Sequence, residues 1–190
     1  MIGKTLLTGF GPFGAVISNP TQRLAERFAD EVETLVLPTS FARAPSLIVR
    51  ALAERSYERV VMLGVAVSTP HFRVECFAHN ADEGGAPDVD GFVPPMRAIA
   101  AAAPHRLPVT IVPKQWLDAL AAVNVPVELS ESAGGFLCNH ALFHALHSSR
   151  GRPTQIGFLH VPADDATGLQ GDRFMPFSEH VRAVRALLSL

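Results

Sequence analysis

The sequence predicts an α/β fold, a three-layer α/β/α sandwich around a mixed, mostly parallel sheet. Two observations carry this prediction: short apolar runs of strand length alternate with segments of helical periodicity, and 190 residues suffice to bury a sizeable core. Neither a repeat nor a linker-like stretch divides the chain. We therefore expect residues 1–190 to form a single domain.

Apolar runs bounded by glycine, proline or polar residues are predicted to be strands. They lie at 4–8, 33–37, 59–63, 73–78, 125–130 and 155–160. The run at 59–63 has the character of a central strand, because it is continuously apolar and ends at a glycine.

Periodic apolar residues predict helices between these strands. The predicted helices lie at 20–29, 45–55, 113–122, 141–147 and 178–188. Asn19 and Pro20 fit an N-cap and a first-turn proline, and Gln22 fits the third position of a capping box. Residues 79–95 are rich in glycine, proline and acidic side chains, which predicts a long loop of the kind that carries function.

Composition excludes several classes of protein. Hydrophobic residues make up 48% and charged residues 18%, which argues against disorder. A net charge of -2 gives no electrostatic basis for binding nucleic acid or an anionic membrane. The chain start fits no signal peptide, no apolar run is long enough to span a bilayer, and two cysteines make no disulfide framework. We therefore expect a cytoplasmic protein with no nucleic-acid or membrane partner.

Cys138 is the strongest candidate for chemistry. It lies three residues after a glycine pair, Gly134 and Gly135, and three residues before the start of the short apolar helix predicted at 141–147. Free N–H groups and the dipole at a helix N-terminus favour the thiolate, which is the nucleophilic form of cysteine.

His160 and Glu75 are candidate partners of that thiol. His160 lies at the end of the apolar run 155–160, where the carboxyl ends of parallel strands form binding sites. The same rule selects the loops after Thr8, Leu63 and Ser130. A histidine can take the proton of a thiol and return it to a leaving group, and a carboxylate such as Glu75 can orient the imidazole. From the residues alone Glu75 is one of several possible carboxylates.

Four motifs make the chain recognisable, and in order they cover most of its length. They read LLTGFGPFG at 6–14, NP at 19–20, AGGFLCNH at 133–140 and GFLHVP at 157–162. With these motifs the chain resembles the pyroglutamyl peptidase I family of cysteine peptidases, also called pyrrolidone carboxyl peptidases.

The resemblance implies a reaction and its residues. Cys138 would be the nucleophile, His160 the general base and acid, and Glu75 the group that orients His160. The reaction would remove an N-terminal pyroglutamate (5-oxoproline) from a peptide through a thioester, with no metal or cofactor. Three aromatic residues would line the pocket for the lactam ring: Phe10, Phe13 and Phe136. Self-association into dimers or tetramers is a further implication.

The chain also departs from this family. Members typically carry arginines where it has Thr69, Cys76 and Gly85, and a glutamine where it has Val65. These differences leave two alternatives open: a related cysteine amidase with another small acyl substrate, and a non-catalytic binding protein on the same scaffold.

Three further patterns have simpler explanations. Residues 9–14 match G-x-G-x-x-G after a strand, but no helix opens at the last glycine and Pro12 stiffens the loop. The histidines at 140, 144 and 147 could share a helix face, yet no carboxylate lies beside them in the sequence. Residues 88–91 resemble only a fragment of a calcium loop. We expect no bound dinucleotide or metal.

Overall fold

The computed structural model describes residues 4–169 and 174–190. Its strands are β1 Thr5–Phe10, β2 Glu33–Leu37, β3 Arg59–Ala66, β4 Phe72–Glu75, β5 Phe77–His79, β6 Arg106–Pro108, β7 Val127–Ser130 and β8 Gln155–Pro162. Its α-helices are α1 Pro20–Arg27, α2 Arg43–Glu54, α3 Pro113–Ala122, α4 Leu137–Ser148 and α5 Phe177–Leu188.

Six strands form one mixed sheet in the order β2-β1-β3-β8-β4-β7. The first four run parallel, β4 is antiparallel to β8, and β7 is parallel to β4. Helix α5 packs against α1 and α3, while α2 packs against α4. The predicted three-layer α/β/α architecture with a mostly parallel sheet is confirmed.

The centre of the sheet is β3 beside β8. The middle of both strands is buried, as expected of parallel strands covered by helices on both faces. Their register pairs Gly64 with His160 near the carboxyl ends. The sheet therefore holds His160 in the core at the edge where α/β proteins form their sites.

The start of α1 follows the predicted capping in part. The side chain of Asn19 accepts a hydrogen bond from the N–H of Thr21, and Pro20 occupies the first turn. The capping-box prediction for Gln22 is not confirmed: the hydrogen bond that its side chain makes is donated by the amide nitrogen to Glu26, in the next turn. A Cβ on Gly9 would lie 2.0 Å from the carbonyl oxygen of Thr21, so a glycine is required where β1 meets α1.

The predicted strand at 73–78 is in fact two strands in two sheets. β4 ends at Glu75, and β5 begins at Phe77 and pairs with β6 in a separate two-stranded sheet. At the break, the N–H of Cys76 donates to Ser130 and its carbonyl accepts from Val109. Strand β6 escaped prediction because it is only three residues long and ends in a proline.

The sequence predicted that the loop after Ser130 lies at the site-forming edge because a strand ends there, and this reason is wrong. β7 runs opposite to β1, β3 and β8, so its carboxyl end points away from theirs. Residues 131–136 then lead to α4, whose first turn carries Cys138. The thiol is therefore brought to the edge by a helix start and not by a strand end.

Candidate active site

Cys138 lies in the first turn of α4, directly over β3. Phe136 is the N-cap residue and makes no side-chain cap, so the N–H groups of Leu137 and Cys138 have no partner within the helix. A Cβ built on Gly64 would lie 2.7 Å from Sγ of Cys138. The absence of a side chain at Gly64 thus provides the space that the thiol occupies.

His160 joins this thiol to a buried carboxylate. Its Nδ1 lies 2.7 Å from Oε1 of Glu75, and both side chains are buried. The side chain of Cys138 also hydrogen-bonds to the ring. Because Glu75 occupies Nδ1, the thiol interacts with the remaining nitrogen, Nε2. The structure therefore brings together all three residues predicted to be catalytic.

The surroundings of His160 favour its protonated form. Burial alone lowers the pKa of the imidazole, but the charge and hydrogen bond of Cys138, together with those of Glu75, raise it to about 9. A protonated imidazole between a thiol and a carboxylate favours the thiolate. This arrangement provides a nucleophile and, on the same ring, a proton for a leaving group.

Arg73 is a further charged residue at this site, and the sequence did not single it out. Its Nη2 lies 3.3 Å from Oε1 of Glu75. Positions 73 and 75 are two residues apart on β4, so their side chains lie on the same face of the strand. That spacing was the available signal, although nothing in the sequence alone distinguishes it from ordinary strand alternation.

Asn139 is a second residue that sequence reasoning missed. It is fully buried; its side-chain oxygen accepts from the N–H of His79 at 2.7 Å, and its amide donates to the carbonyls of His79 and Ala81. The residue next to the nucleophile thus ties the start of α4 to the segment after β5.

Two of the three predicted pocket aromatics lie together. The rings of Phe13 and Phe136 are 6.3 Å apart between centroids, and Phe136 packs edge-on against Phe41 at 5.3 Å. Phe41 was not predicted. Phe10 is buried in the core at the end of β1, and so supports the loop that carries Phe13. Three rings, those of Phe13, Phe41 and Phe136, therefore form an apolar wall beside the residue that begins α4.

A cavity of about 400 Å³ has Phe41 as one of its walls. Its walls include Phe92, Arg97 and the pair formed by His140 and Asp82, whose side chains are 2.8 Å apart. Because Asp82 takes Nδ1 of His140, this histidine has a local structural partner. Among residues 4–169 and 174–190, no group of three or more metal-ligating side chains is found.

The four departures from the family pattern lie at different depths. Val65 is buried on β3 next to Gly64, while Thr69 caps its own turn through the carbonyl of His71. Burial first, and the charge of Glu75 second, raise the pKa of the Cys76 thiol, which argues against a second nucleophile. Gly85 is exposed with φ +104°, a conformation that suits glycine and strains an arginine.

The G-x-G-x-x-G segment at 9–14 does not lead directly into a helix. After Gly14 the chain makes a short bridge between Phe13 and Val16, and α1 begins only at Pro20. The carbonyl of Gly11 accepts hydrogen bonds from Asn19 and Thr39, so the loop is closed by the protein's own side chains.

Together these features define a class of protein. A thiol in the first turn of a helix, beside an imidazole that is held by a buried carboxylate, is the arrangement of cysteine-dependent hydrolases.

The comparisons with known proteins name the family. Residues 3–189 match the family model described as pyroglutamyl peptidase. The pyrrolidone-carboxylate peptidase of Thermococcus litoralis is 36% identical over 167 residues, 84% of this chain and 76% of that protein. The enzyme of the same name from Gloeobacter violaceus is 30% identical over 196 residues, 98% of this chain and 96% of that protein.

Solved structures agree with these matches. The pyrrolidone carboxyl peptidase of T. litoralis superimposes with a TM-score of 0.91 at 32% identity, over 98% of this chain and 92% of that one. The Thermus thermophilus structure gives 0.89 at 30% identity, over 97% and 98%. The chain belongs to the pyroglutamyl peptidase family of cysteine peptidases. Within the described residues, no helix has the length and apolar character needed to cross a membrane.

Proposed function

We propose that this protein removes N-terminal pyroglutamate from peptides, with Cys138 as nucleophile, His160 as acid and base, and Glu75 as the group that orients His160. Membership of the pyroglutamyl peptidase family supports the reaction. The observation that carries the assignment of roles is the 2.7 Å contact between His160 Nδ1 and Glu75 Oε1, with the Cys138 thiol on the same ring.

The first half of the reaction forms a thioester. The thiolate of Cys138 attacks the carbonyl carbon of the pyroglutamyl group, and negative charge develops on the carbonyl oxygen. The free N–H of Cys138 in the first turn of α4 suits that oxygen. When the C–N bond breaks, protonated His160 gives its proton to the departing amine, and the shortened peptide leaves.

The second half restores the enzyme. Neutral His160 takes a proton from water, and the hydroxide attacks the thioester carbonyl. The C–S bond breaks, pyroglutamate is released, and the Cys138 thiolate again faces protonated His160. Glu75 keeps Nδ1 as the donor throughout, so that Nε2 serves both the leaving amine and the water.

The aromatic wall suits the substrate. A pyroglutamyl group has no charged amine, and its five-membered lactam offers apolar faces. Phe13 and Phe136 supply apolar surface next to the start of α4, with Phe41 behind Phe136.

Turnover of a pyroglutamyl amide that releases a fluorophore tests this proposal. Cys138→Ala should abolish turnover, while Cys76→Ala removes the other cysteine and should leave turnover largely unchanged. If wild-type protein shows no turnover and Cys138 is still rapidly alkylated by iodoacetamide, the alternative is supported: a related amidase with another small acyl substrate, in line with Gly85 and Val65. An inert Cys138 would support a binding protein on the same scaffold.

Three further expectations belong to this proposal: a single domain over residues 1–190, a cytoplasmic location and self-association. The match over residues 3–189 to one family model supports the first of them. Sedimentation of the purified protein measures the third directly.

A further inference from the structure

Arg73 contacts the candidate site from the outer side of Glu75. On β4 it pairs in register with His160, and its Nη2 is 3.3 Å from Oε1 of Glu75. Glu75 is fully buried, whereas the side chain of Arg73 is 22% exposed. The guanidinium therefore lies between the buried carboxylate and solvent, and it shares Oε1 of Glu75 with the imidazole.

The same guanidinium reaches the segment that carries the thiol. Nη2 of Arg73 donates to the carbonyl of Ser132 at 2.8 Å and to Oγ of Ser130 at 3.0 Å. Ser130 ends β7, and Ser132 lies in the segment that leads to α4. One nitrogen thus connects the carboxylate of the site with the approach to Cys138.

The charge balance around Glu75 depends on Arg73. The titratable and charged groups that interact with Glu75 are His160 on β8, Arg73 on β4 itself and Cys76 next in the chain. Beyond them, Cys138 on α4 interacts with His160, and Glu131 interacts with Cys76. Only Arg73 in this set is a permanent cation, because a guanidinium does not lose its proton in the working pH range.

The two carboxylate oxygens of Glu75 differ in their contacts. Its Oε1 faces both His160 and Arg73, while its buried Oε2 has no hydrogen-bond partner in the described part of the chain. A buried carboxylate held by one oxygen is costly unless a cation offsets its charge. The position of Arg73 fits that need.

We propose that Arg73 is a positioning residue of this site: it pairs with the carboxylate of Glu75 and keeps it turned toward His160, and it fixes the segment that precedes Cys138. This inference rests on the proposed function for its meaning in catalysis, although the contacts themselves do not depend on the substrate.

The proposal predicts a direction for pH dependence. Loss of a permanent positive charge makes protonation of the neighbouring groups easier, so the pKa of His160 should rise further and the coupled titration of the site should move with it. Arg73→Gln should therefore move both the acid and the alkaline limb of the kcat/KM profile to higher pH, by about one unit. It should also lower kcat at least tenfold while KM changes little, since Arg73 touches the carboxylate and not the substrate.

The experiment compares four proteins in a Cys76→Ala background, so that iodoacetamide labels Cys138 alone. They are the parent, Arg73→Gln, Arg73→Lys and Arg185→Gln. Arg185 pairs with Glu31 on the surface, so its variant is a matched loss of an arginine–carboxylate contact away from the site. Turnover of a pyroglutamyl amide and the rate of alkylation are measured from pH 5 to 10, with circular dichroism to verify folding.

In Arg73→Gln, both limbs of the pH profile should lie at higher pH than in the parent. In Arg73→Lys, the limbs should return to their parental positions while the rate stays reduced. Arg185→Gln should behave like the parent. A slower Arg73→Gln enzyme with unmoved limbs would reduce Arg73 to a structural contact and overturn the proposal. If Arg73→Gln does not fold, displaced limbs in Arg73→Lys, which keeps the charge, would overturn it equally, and parental limbs would support it. If the parent shows no turnover, the proposed function fails, and the acid limb of alkylation still decides the role of Arg73.

Discussion

Gly64 and Cys138 are in direct contact across the interface between β3 and α4. A Cβ on Gly64 would lie 2.7 Å from Sγ of Cys138 and 2.7 Å from Cζ of Phe158, closer than packed side chains approach. The glycine is paired in register with His160. The nucleophile and its base therefore meet at a position on the sheet that has no side chain of its own.

Gly64→Ala should displace the thiol. We expect kcat/KM to fall at least a hundredfold, since a shift of about 1 Å in a reacting group can cost that much. The overpacking should also lower the free energy of unfolding by about 1–3 kcal/mol. Urea unfolding and turnover of a pyroglutamyl amide measure the two effects.

The control for this variant is Gly157→Ala, also in the sheet. There a Cβ would lie 2.6 Å from side-chain atoms of Ile111 and Trp116, and it would be remote from the thiol. It should lose a similar amount of stability while the folded enzyme keeps its turnover. Equal losses of turnover in both variants would mean that Gly64 matters only for packing.

Glu75→Gln should move the alkaline limb of kcat/KM to lower pH. The carboxylate helps to raise the pKa of His160 to about 9, and the amide lacks that charge. Arg73→Gln is expected to move the same limb to higher pH. Opposite shifts in the two variants would show an effect of charge, because general damage to the site would not change direction with the charge removed. An alkaline limb that stays near pH 9 in Glu75→Gln would contradict the assigned partnership.

The same pKa predicts a stability effect with a definite sign. Because the folded value of His160, about 9, lies above the unfolded value of 6.5, its contribution is complete below pH 6.5. It is lost as the pH rises through 9. His160→Gln should therefore flatten the decline of unfolding free energy between pH 6.5 and 9, which urea titrations at several pH values can follow.

His180 predicts loss of stability in acid. It is buried on α5 between Phe72 and Phe177, and burial first, then the charge of Arg23, lowers its pKa to about 4. The unfolded chain takes up this proton near pH 6.5 and the folded chain only near 4, so stability falls across that interval. A shift of this size corresponds to about 3 kcal/mol.

His180→Phe should remove this sensitivity, since the site is already lined by aromatic rings. The free energy of unfolding of the variant should rise relative to that of the wild type as the pH is lowered from 6.5 to 4. His144, whose pKa burial also lowers to about 4, remains in both proteins and contributes to the residual slope. Parallel curves for the two proteins would show that His180 does not titrate differently on folding.

Asn139→Ala should loosen the segment after β5. It leaves the N–H of His79 and the carbonyls of His79 and Ala81 without their buried partner, at a cost of about 2–3 kcal/mol. Hydrogen exchange should report faster opening of residues 79–81. Asn139→Asp keeps the acceptor but loses both donors, so it should protect the His79 amide better than alanine does.

The main features of the site could be predicted because they are local in sequence. The glycine pair before Cys138 indicated a chain that turns into a helix, and α4 does begin there. The run ending at His160 indicated a buried strand tip, and β8 has that form. Such signals depend on periodicity and turn residues within a few positions.

What escaped prediction depends on pairing between distant segments. The direction of β7 is decided by its partner β4, and no pattern within either strand states it. Arg73 contacts both Glu75 and Ser132. The first contact follows from their positions two residues apart on β4, but the second forms only because β4 pairs with β7. The role of Gly64 becomes visible only when α4 is laid over β3.

The break at Cys76 separates the strand that holds Glu75 in the central sheet from a long segment outside that sheet. Glu75 is the last residue of the central sheet, and the chain then enters the small sheet of β5 and β6 and the long stretch between them. The ladder that holds Glu75 and His160 ends before this stretch begins, so changes at residues 84–105 should leave those two residues in place. Ala81 and Asp82 differ from the rest of the stretch, because they bind Asn139 and His140 directly after the nucleophile. We therefore expect sequence change to be tolerated in the middle of the stretch and resisted where it meets α4.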